Sequence, residues 1–476
     1  MRKILALLLL TLPALSQPVF TDVFPPEEFA ARRSKVMASL GDSVAILLGT
    51  TETPGETPLR QNSQFHYLCG VVEPRAILVL DGSTKKVTLF LNPRNIQREN
   101  SAYGPGLYPG DDAAKSVGVD VVLERAEFQD FVKGLAAKGR TFYTPFHVEV
   151  LSSVSQGDPD KLWANNESDP FDGRPSREEA FRTHLKDVAP NSEIRDLDPI
   201  LNALRAIKSP REIAVIREAT RIAGLGIMEA MRDAKPGMAE YELQADAEFV
   251  FKKYGAFGAS YFALISTGRN TYYTHYHRNT AVLRAGDLVQ FDYAPDYKNY
   301  QADVTRVFPA NGKFTPWQRE YYEIYRILYQ AVISSIRPRV TPADVIRDAV
   351  VKMDAVMASY RFTDPKIQGA AKIFVDRYRS QAAGGGNLGH TVGLEVHDVR
   401  RLSATLEPGE IFTIEPEMRI EELHLGMRFE DMLLITETGV ENLSAFVPLD
   451  IAGIEKLMAH RKHGLSESHR SLPGRK

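Results

Sequence analysis

Leu288-Val-Gln-Phe-Asp292-Tyr-Ala-Pro-Asp-Tyr-Lys-Asn-Tyr-Gln-Ala-Asp303-Val-Thr-Arg-Val-Phe308 reads as strand, turn, strand, with apolar arms around a polar, proline-bearing centre. A turn centred on Tyr297 and Lys298 places Asp292 directly opposite Asp303. Like charges at paired positions repel and weaken a sheet unless something positive sits between them. A second stretch repeats the arrangement. It runs from Phe412-Thr-Ile-Glu415-Pro-Glu-Met418 to Gly426-Met-Arg-Phe-Glu430-Asp-Met-Leu-Leu434, and a turn near Glu422 and Leu423 sets Glu415 opposite Glu430. Solvated surface acids would be the simpler account, but Asp292 follows Val289 and Phe291, and Glu415 follows Phe412 and Ile414. Carboxylates in such surroundings are costly unless paired or bound to a cation. Four of them exceed the need of one divalent ion, so the expectation is two ions bridged by carboxylates.

Two histidine segments accompany the acids. Gly389-His390-Thr-Val-Gly-Leu-Glu-Val-His397-Asp398 carries two imidazoles seven residues apart, with glycines that let backbone approach closely. Thr274-His275-Tyr-His277-Arg-Asn279 precedes the first acidic strand. Oxygen-rich ligands with one histidine favour Mn²⁺, Zn²⁺, Co²⁺ or Fe²⁺ over thiolate-seeking metals.

Working outward, the chain divides into two textures. Residues 27–195 alternate a helix (Pro26–Leu40) with short β-rich runs at Ser43–Leu48, Ala76–Leu80 and Val87–Leu91, the last two joined by an Asp81-Gly82-Ser83 hairpin turn. Ser155–Pro175 reads as a polar loop. From Leu201 long helices begin at clear signals: Ser209-Pro210-Arg-Glu212, Thr315-Pro316-Trp-Gln318 and Thr341-Pro342-Ala-Asp344. Strand-like runs follow at Leu288–Asp292, Val304–Phe308, Phe412–Glu415 and Arg428–Ile435. The expected organisation is an α/β domain (17–200), then an α+β domain (201–461), then a frayed tail (462–476).

Met1-Arg2-Lys3, an apolar run from Ile4 to Leu15 and the small-residue end at Ser16 read as a secretory leader (1–16), so the protein is expected to be secreted or periplasmic. The 476 residues carry 58 basic and 61 acidic side chains; the leader holds Arg2 and Lys3 and no acid, so its loss moves the net charge from −3 to −5. Such balance argues against a bulk electrostatic grip on nucleic acid, and no later apolar run is long enough for stable membrane insertion. Cys69 stands alone, which excludes an intrachain disulfide. Gly384-Gly-Gly-Asn-Leu-Gly389 matches a dinucleotide-binding glycine pattern but lacks a preceding buried strand and a following helix, so it is read as a decoy.

Asp292, Asp303, His390, Glu415 and Glu430, in this order and context, resemble the five metal ligands of the pita-bread metallopeptidases, which include methionine aminopeptidase, aminopeptidase P and prolidase. The strings that match are Gly286–Asp292, Ala302–Arg306, Gly389–Asp398, Thr413–Pro416 and Arg428–Asp431. Arg60–Leu68 and Val72–Ala76 resemble the N-terminal domain of the aminopeptidase P, prolidase and creatinase branch. The resemblance implies an α/β N-terminal domain followed by an α+β pita-bread catalytic domain. It implies two divalent ions, Mn²⁺ first, that hold and acidify a water, with Asp303 and Glu430 bridging. Asp292 would complete one site, and His390 with Glu415 the other. Glu415 would relay a proton to the leaving proline nitrogen, His275 and His397 would act on the scissile carbonyl, and Arg428 would support the carboxylates. The substrates implied are peptides with proline in the second position, cleaved by an aminopeptidase; the alternatives are an Xaa-Pro dipeptidase or a non-catalytic peptide-binding protein. A homodimer follows by analogy. One departure stands out: Gly386 occupies a position, four before His390, where the family commonly has a further histidine.

Overall fold

In the computed structural model of the chain, the described residues are 23–52, 58–103, 106–150 and 155–460. The expected leader and tail lie outside them. Two compact units result: residues up to 146 with Glu178–Leu197, and His147–Arg177 with everything from Asp198 onward. The second unit is discontinuous in sequence: besides the long stretch from Asp198 it takes in His147–Arg177. That segment contains a helix, Gly157–Ser168, where a loop was expected. Its first turn holds Asp158, Pro159 and Asp160, a helix-start signal obscured by the surrounding polar residues. Asp160 then caps the approach from outside, accepting from the Val148 amide at 3.0 Å.

The first unit is built on one six-stranded sheet. Its strands are β1 (Val44–Leu48), β2 (Ile77–Asp81), β3 (Val87–Leu91), β4 (Val121–Glu124), β5 (Phe142–Thr144) and β6 (Ile194–Asp196), in the order β4-β3-β2-β1-β5-β6. The β2–β3 hairpin turns at Asp81, whose carboxylate accepts from the Ser83 and Thr84 amides. Val44, Ile46, Ile77, Val79, Phe90 and Phe142 form a core with Val132 and Leu135 of the Phe128–Ala136 helix and with Leu185.

His66, on the Ser63–Cys69 helix, is buried to 1 % exposure, and burial, followed by the charges of Arg32 and Arg60, pushes its pKa down to about 3. The folded imidazole therefore stays neutral while the unfolded one titrates near 6.5. Stability is unaffected above that value and falls as the pH drops from about 6.5 toward about 3. The expected loss at pH 5 is about 2 kcal/mol. Denaturant midpoints at pH 7.5 and pH 5 will show it, and His66→Asn will shrink the difference; an equal pH response in the variant would refute the assignment.

The second unit packs long helices around small antiparallel sheets. Pro210–Asp233, Pro316–Ile333 and Pro342–Ser359 start at the three expected signals, each with its capping box formed. Two further helices are Glu240–Lys253 and Pro365–Ala383. Strands β7 (Gly258–Ala259) and β10 (Pro295–Asp296) pair with each other, while β8 (Leu264–Thr267), β9 (Leu288–Asp292) and β11 (Thr305–Pro309) form a sheet in the order β11-β9-β8. A second sheet joins β12 (Ile411–Ile414), β15 (Asp431–Ile435) and β16 (Val440–Asn442), and β13 (Glu417–Ile420) pairs with β14 (Leu425–Arg428).

The first acidic hairpin differs from expectation in register. Asp292 pairs with Thr305, not Asp303, because the turn centres on Lys298 and Asn299, both at positive φ (53° and 67°), between mutually bonded Tyr297 and Tyr300. Both central residues at positive φ is the turn that matches strand twist in a two-residue hairpin. The slip is by two residues, so Asp303 keeps the face of Asp292 and becomes its diagonal neighbour. In the second hairpin the expected register holds: Ile414 pairs with Asp431 and Glu417 with Arg428, which sets Glu415 level with Glu430. Both expected strands are interrupted there, however, and the ladder is open at 415–416 and 429–430. Pro416 has no N–H to give, and the Glu430 N–H goes instead to the Thr305 carbonyl at 3.1 Å, tying the two hairpins together.

Candidate metal centre

The strand ends bring the five expected ligands into contact. Among the described residues, three groups of three have ligand atoms within 4.8 Å of one another: Asp292–Asp303–Glu430, His390–Glu415–Glu430, and Asp303–His390–His397. Glu430 belongs to the first two, which makes it the shared edge of two adjoining clusters. The His390 Nε2 lies 3.4 Å from Glu415, 3.6 Å from Asp303 and 3.9 Å from Glu430. Its Nδ1 lies 3.2 Å from the Thr391 carbonyl, which holds a proton on Nδ1 and turns Nε2 toward the carboxylates. Burial lowers the imidazole's pKa but is outweighed by the Glu415 hydrogen bond and the Glu415 and Glu430 charges. Without a metal Nε2 therefore donates to Glu415, and that proton is the one a metal would displace.

Arg428, buried to 1 %, spans the centre: one guanidinium nitrogen reaches Asp292 and the other lies 3.0 Å from Glu415. One cation cannot neutralise four acids. Burial, then the neighbouring Asp292 and Glu415 charges, hold the Asp303 carboxyl well above its usual range; burial with Asp303 and Glu415 does the same to Glu430. Burial also raises Asp292, though Arg428 opposes it. At Glu415 burial is outweighed by the His390 hydrogen bond and Arg428, and the carboxyl falls to about 2. The Glu430 Oε1 is buried with no hydrogen-bond partner. Crowded buried acids, one with an orphaned oxygen, beside an imidazole whose Nε2 faces them, form a donor set that fits divalent cations.

Of the remaining expected residues, His397 stacks on His390 with ring centres 3.8 Å apart. Burial and the His390 charge lower its pKa to about 4, so it is neutral at physiological pH. His275 is exposed in the turn after Gly268–Tyr272 and belongs to none of the three ligand groups, although its charge is felt at Asp292 and His397.

Several residues at the centre were not visible in sequence. The Tyr261 hydroxyl lies 2.5 Å from Asp292 and 2.6 Å from Asp303; it has one proton for two carboxylates, so it binds their shared edge. Thr305 donates to Glu430 at 2.8 Å, a contact that the true register would have revealed. Asp398, next to His397, is fully enclosed with Arg205 (2.5 Å), Lys208 (3.0 Å) and Glu395, which lies 3.1 Å from Arg205. The Asp398 amide bonds the Thr391 carbonyl, so this charge cluster closes the loop that presents both histidines.

The chain matches the metallopeptidase family M24 over residues 214–437 and the aminopeptidase P N-terminal domain over 29–143. It is 32% identical to the Xaa-Pro aminopeptidase of Escherichia coli (strain K12), across 91% of this chain and 97% of that one. This chain belongs to family M24, in its aminopeptidase P branch. The Xaa-Pro aminopeptidase of Haemophilus influenzae is 30% identical with the same coverage. Among solved structures, zinc-substituted E. coli aminopeptidase P in complex with product superposes with a TM-score of 0.71 at 30% identity, covering 92% of this chain and 99% of that one. The fold is accordingly the pita-bread fold preceded by an aminopeptidase P N-terminal domain, and the protein is a metalloaminopeptidase.

Loop geometry accounts for the glycine at 386. This residue sits at φ 76°, and a Cβ there would lie 2.9 Å from the Ala343 amide nitrogen and 3.0 Å from its Cα. No imidazole can be borne at this position without moving the loop. Gly386→His is expected to cost about 1–3 kcal/mol through the left-handed backbone and the clash. It should not raise kcat/KM; a gain in activity without loss of thermal stability would show that the loop accepts a side chain. The decoy glycine run follows the Pro365–Ala383 helix, not a strand, which removes the dinucleotide reading.

Proposed function

We propose that this protein removes the N-terminal residue from peptides with proline in the second position, using two divalent ions. The observation that carries the reading is the pair of three-ligand groups sharing Glu430. Asp292, Asp303 and Glu430 would hold one ion, and His390, Glu415 and Glu430 the other, with Asp303 reaching toward both through its 3.6 Å approach to His390. When bound, the ions supply Lewis-acid polarisation of the scissile carbonyl and a nucleophile at neutral pH. Mn²⁺ suits this set best, since oxygen donors outnumber the single imidazole.

The chain's own groups do the rest. Glu415, ionised and steadied by Arg428, accepts a proton and passes it to the proline nitrogen, which must leave as an amine. His397, neutral near pH 7, donates an N–H to the carbonyl oxygen as negative charge develops there. His275, in the exposed turn after Gly268–Tyr272, would act with His397 on the scissile carbonyl. Arg428 keeps two carboxylates aligned and off the attacking path.

The test compares an Xaa-Pro-Yaa tripeptide, an Xaa-Pro dipeptide and an Xaa-Ala-Yaa tripeptide on metal-stripped protein, with Mn²⁺, Co²⁺ and Zn²⁺ restored separately. Cleavage of the first, strongest with Mn²⁺, is the expected result. Hydrolysis of the dipeptide alone would make the protein a prolidase, and no hydrolysis under any metal would make it a binding protein. We also propose export, on the strength of the leader-like residues 1–16; a mature N-terminus other than Gln17, or a protein retaining Met1, would overturn that. Among the described residues no helix is long and apolar enough to cross a membrane.

A further inference from the structure

The Pro316–Ile333 helix carries Tyr321, Tyr325 and Tyr329 at intervals of four, which places them on one face. All three are fully buried, and their hydroxyls bond every second carbonyl of the stretch Ile414–Met418: Tyr329 to Ile414 (3.3 Å) at the end of β12, Tyr325 to Pro416 in the interruption, and Tyr321 to Met418 (2.7 Å) in β13. The contact at Tyr325 differs from its neighbours. Its oxygen also accepts from the Phe429 N–H at 3.1 Å, and in this register Phe429 faces Pro416. A hydroxyl therefore stands where a direct N–H···O bond would otherwise join the two strands. It sits in the opening of the ladder that holds Glu415 and Glu430, each next in sequence to one of the bonded residues.

We propose that Tyr325 is a positioning residue: by wedging its hydroxyl between Pro416 and Phe429 it sets the separation of Glu415 and Glu430 at the spacing a divalent ion needs. This role rests on Glu415 and Glu430 being ligands, as proposed above. Without the hydroxyl, the Pro416 carbonyl and the Phe429 N–H can bond directly or admit water, and either choice moves the adjoining carboxylates. Tyr321 provides the contrast. It makes the same kind of buried bond to Met418, but within a regularly paired strand where nothing depends on spacing.

The experiment titrates Mn²⁺ alone into metal-stripped full-length protein, against a metal-sensitive dye, for the native chain, Tyr325→Phe and Tyr321→Phe. Each substitution removes only an oxygen and keeps the ring, including the 4.5 Å packing of Tyr325 on Phe429. Tyr325→Phe is expected to weaken Mn²⁺ binding by about 10-fold or more, while Tyr321→Phe stays within about twofold of native, with both melting lower. Equal Mn²⁺ affinity in the two variants overturns the proposal, whereas a native protein that binds no Mn²⁺ overturns the ligand assignment instead. Should Tyr325→Phe fail to fold, amide exchange on the metal-free native chain decides. The Phe429 N–H should be protected as strongly as the paired strand residue Met427, and fast exchange there would rule the clamp out.

Discussion

Asp303→Asn will abolish hydrolysis while making the metal-free protein more stable, and the two effects should be read together. Asp303 is 6 % exposed, faces Asp292 diagonally, and shares the Tyr261 hydroxyl with it. Asparagine keeps the volume and still accepts from Tyr261, but it removes one of several like charges crowded in a buried space. The crowding itself is evident from the raised Asp292, Asp303 and Glu430 carboxyls. Relief of that repulsion should raise the melting temperature of the metal-free form. The amide is a poor metal donor, so the several kcal/mol of transition-state stabilisation that ions provide would go, a loss of about 10³-fold or more in kcat/KM. Added Mn²⁺ should raise the melting temperature of the native chain and leave the variant unmoved. A variant within tenfold of native activity, or one that still gains stability from Mn²⁺, would remove Asp303 from the ligand set.

Arg205→Met should produce the largest loss of stability. Arg205, Lys208, Glu395 and Asp398 form a closed cluster with side chains at most 3 % exposed, two cations against two anions. Burial alone would raise the Asp398 carboxyl, but Arg205 and Lys208 overcome it and hold it below its usual value. Removing Arg205 leaves one cation for two buried carboxylates. Breaking a buried pair from one side costs about 3–5 kcal/mol, which for a unit of this size lowers the melting temperature by roughly 10 °C. The second substitution that repairs the balance is Glu395→Gln, since Lys208 and Asp398 then remain as a matched pair 3.0 Å apart. Recovery of most of the loss in the double variant is the expected coupling. If the double variant were as unstable as the sum of both changes, the cluster would not be acting as a unit.

How much of this was readable beforehand depends on the range of the interaction concerned. The helix starts at Ser209, Thr315 and Thr341 were legible because a capping box is settled within four residues. Facing acids in the second hairpin were legible for a similar reason: the turn near Glu422 fixes its register locally. The first hairpin misled because Lys298 and Asn299 both take positive φ, which their side chains do not announce as a glycine would. The face of Asp303 survived the error only because a two-residue slip preserves the alternation of a strand. The Gly157–Ser168 helix was hidden by its polarity, since it buries only Pro159 and shows no apolar stripe.

By itself the sequence picked out the five residues that cluster at the candidate centre, the facing acids of the second hairpin, the two-part architecture and the family. These are matters of residue type and short spacing, and they survive any small error in geometry. Tertiary structure alone decided that Tyr261 sits across two acids, that Arg205 and Lys208 pin Asp398 from some 190 residues away, and that Tyr325 stands between Pro416 and Phe429. No local pattern encodes those contacts. A tyrosine on a buried helical face looks like any other core residue until a backbone group comes to rest against its hydroxyl.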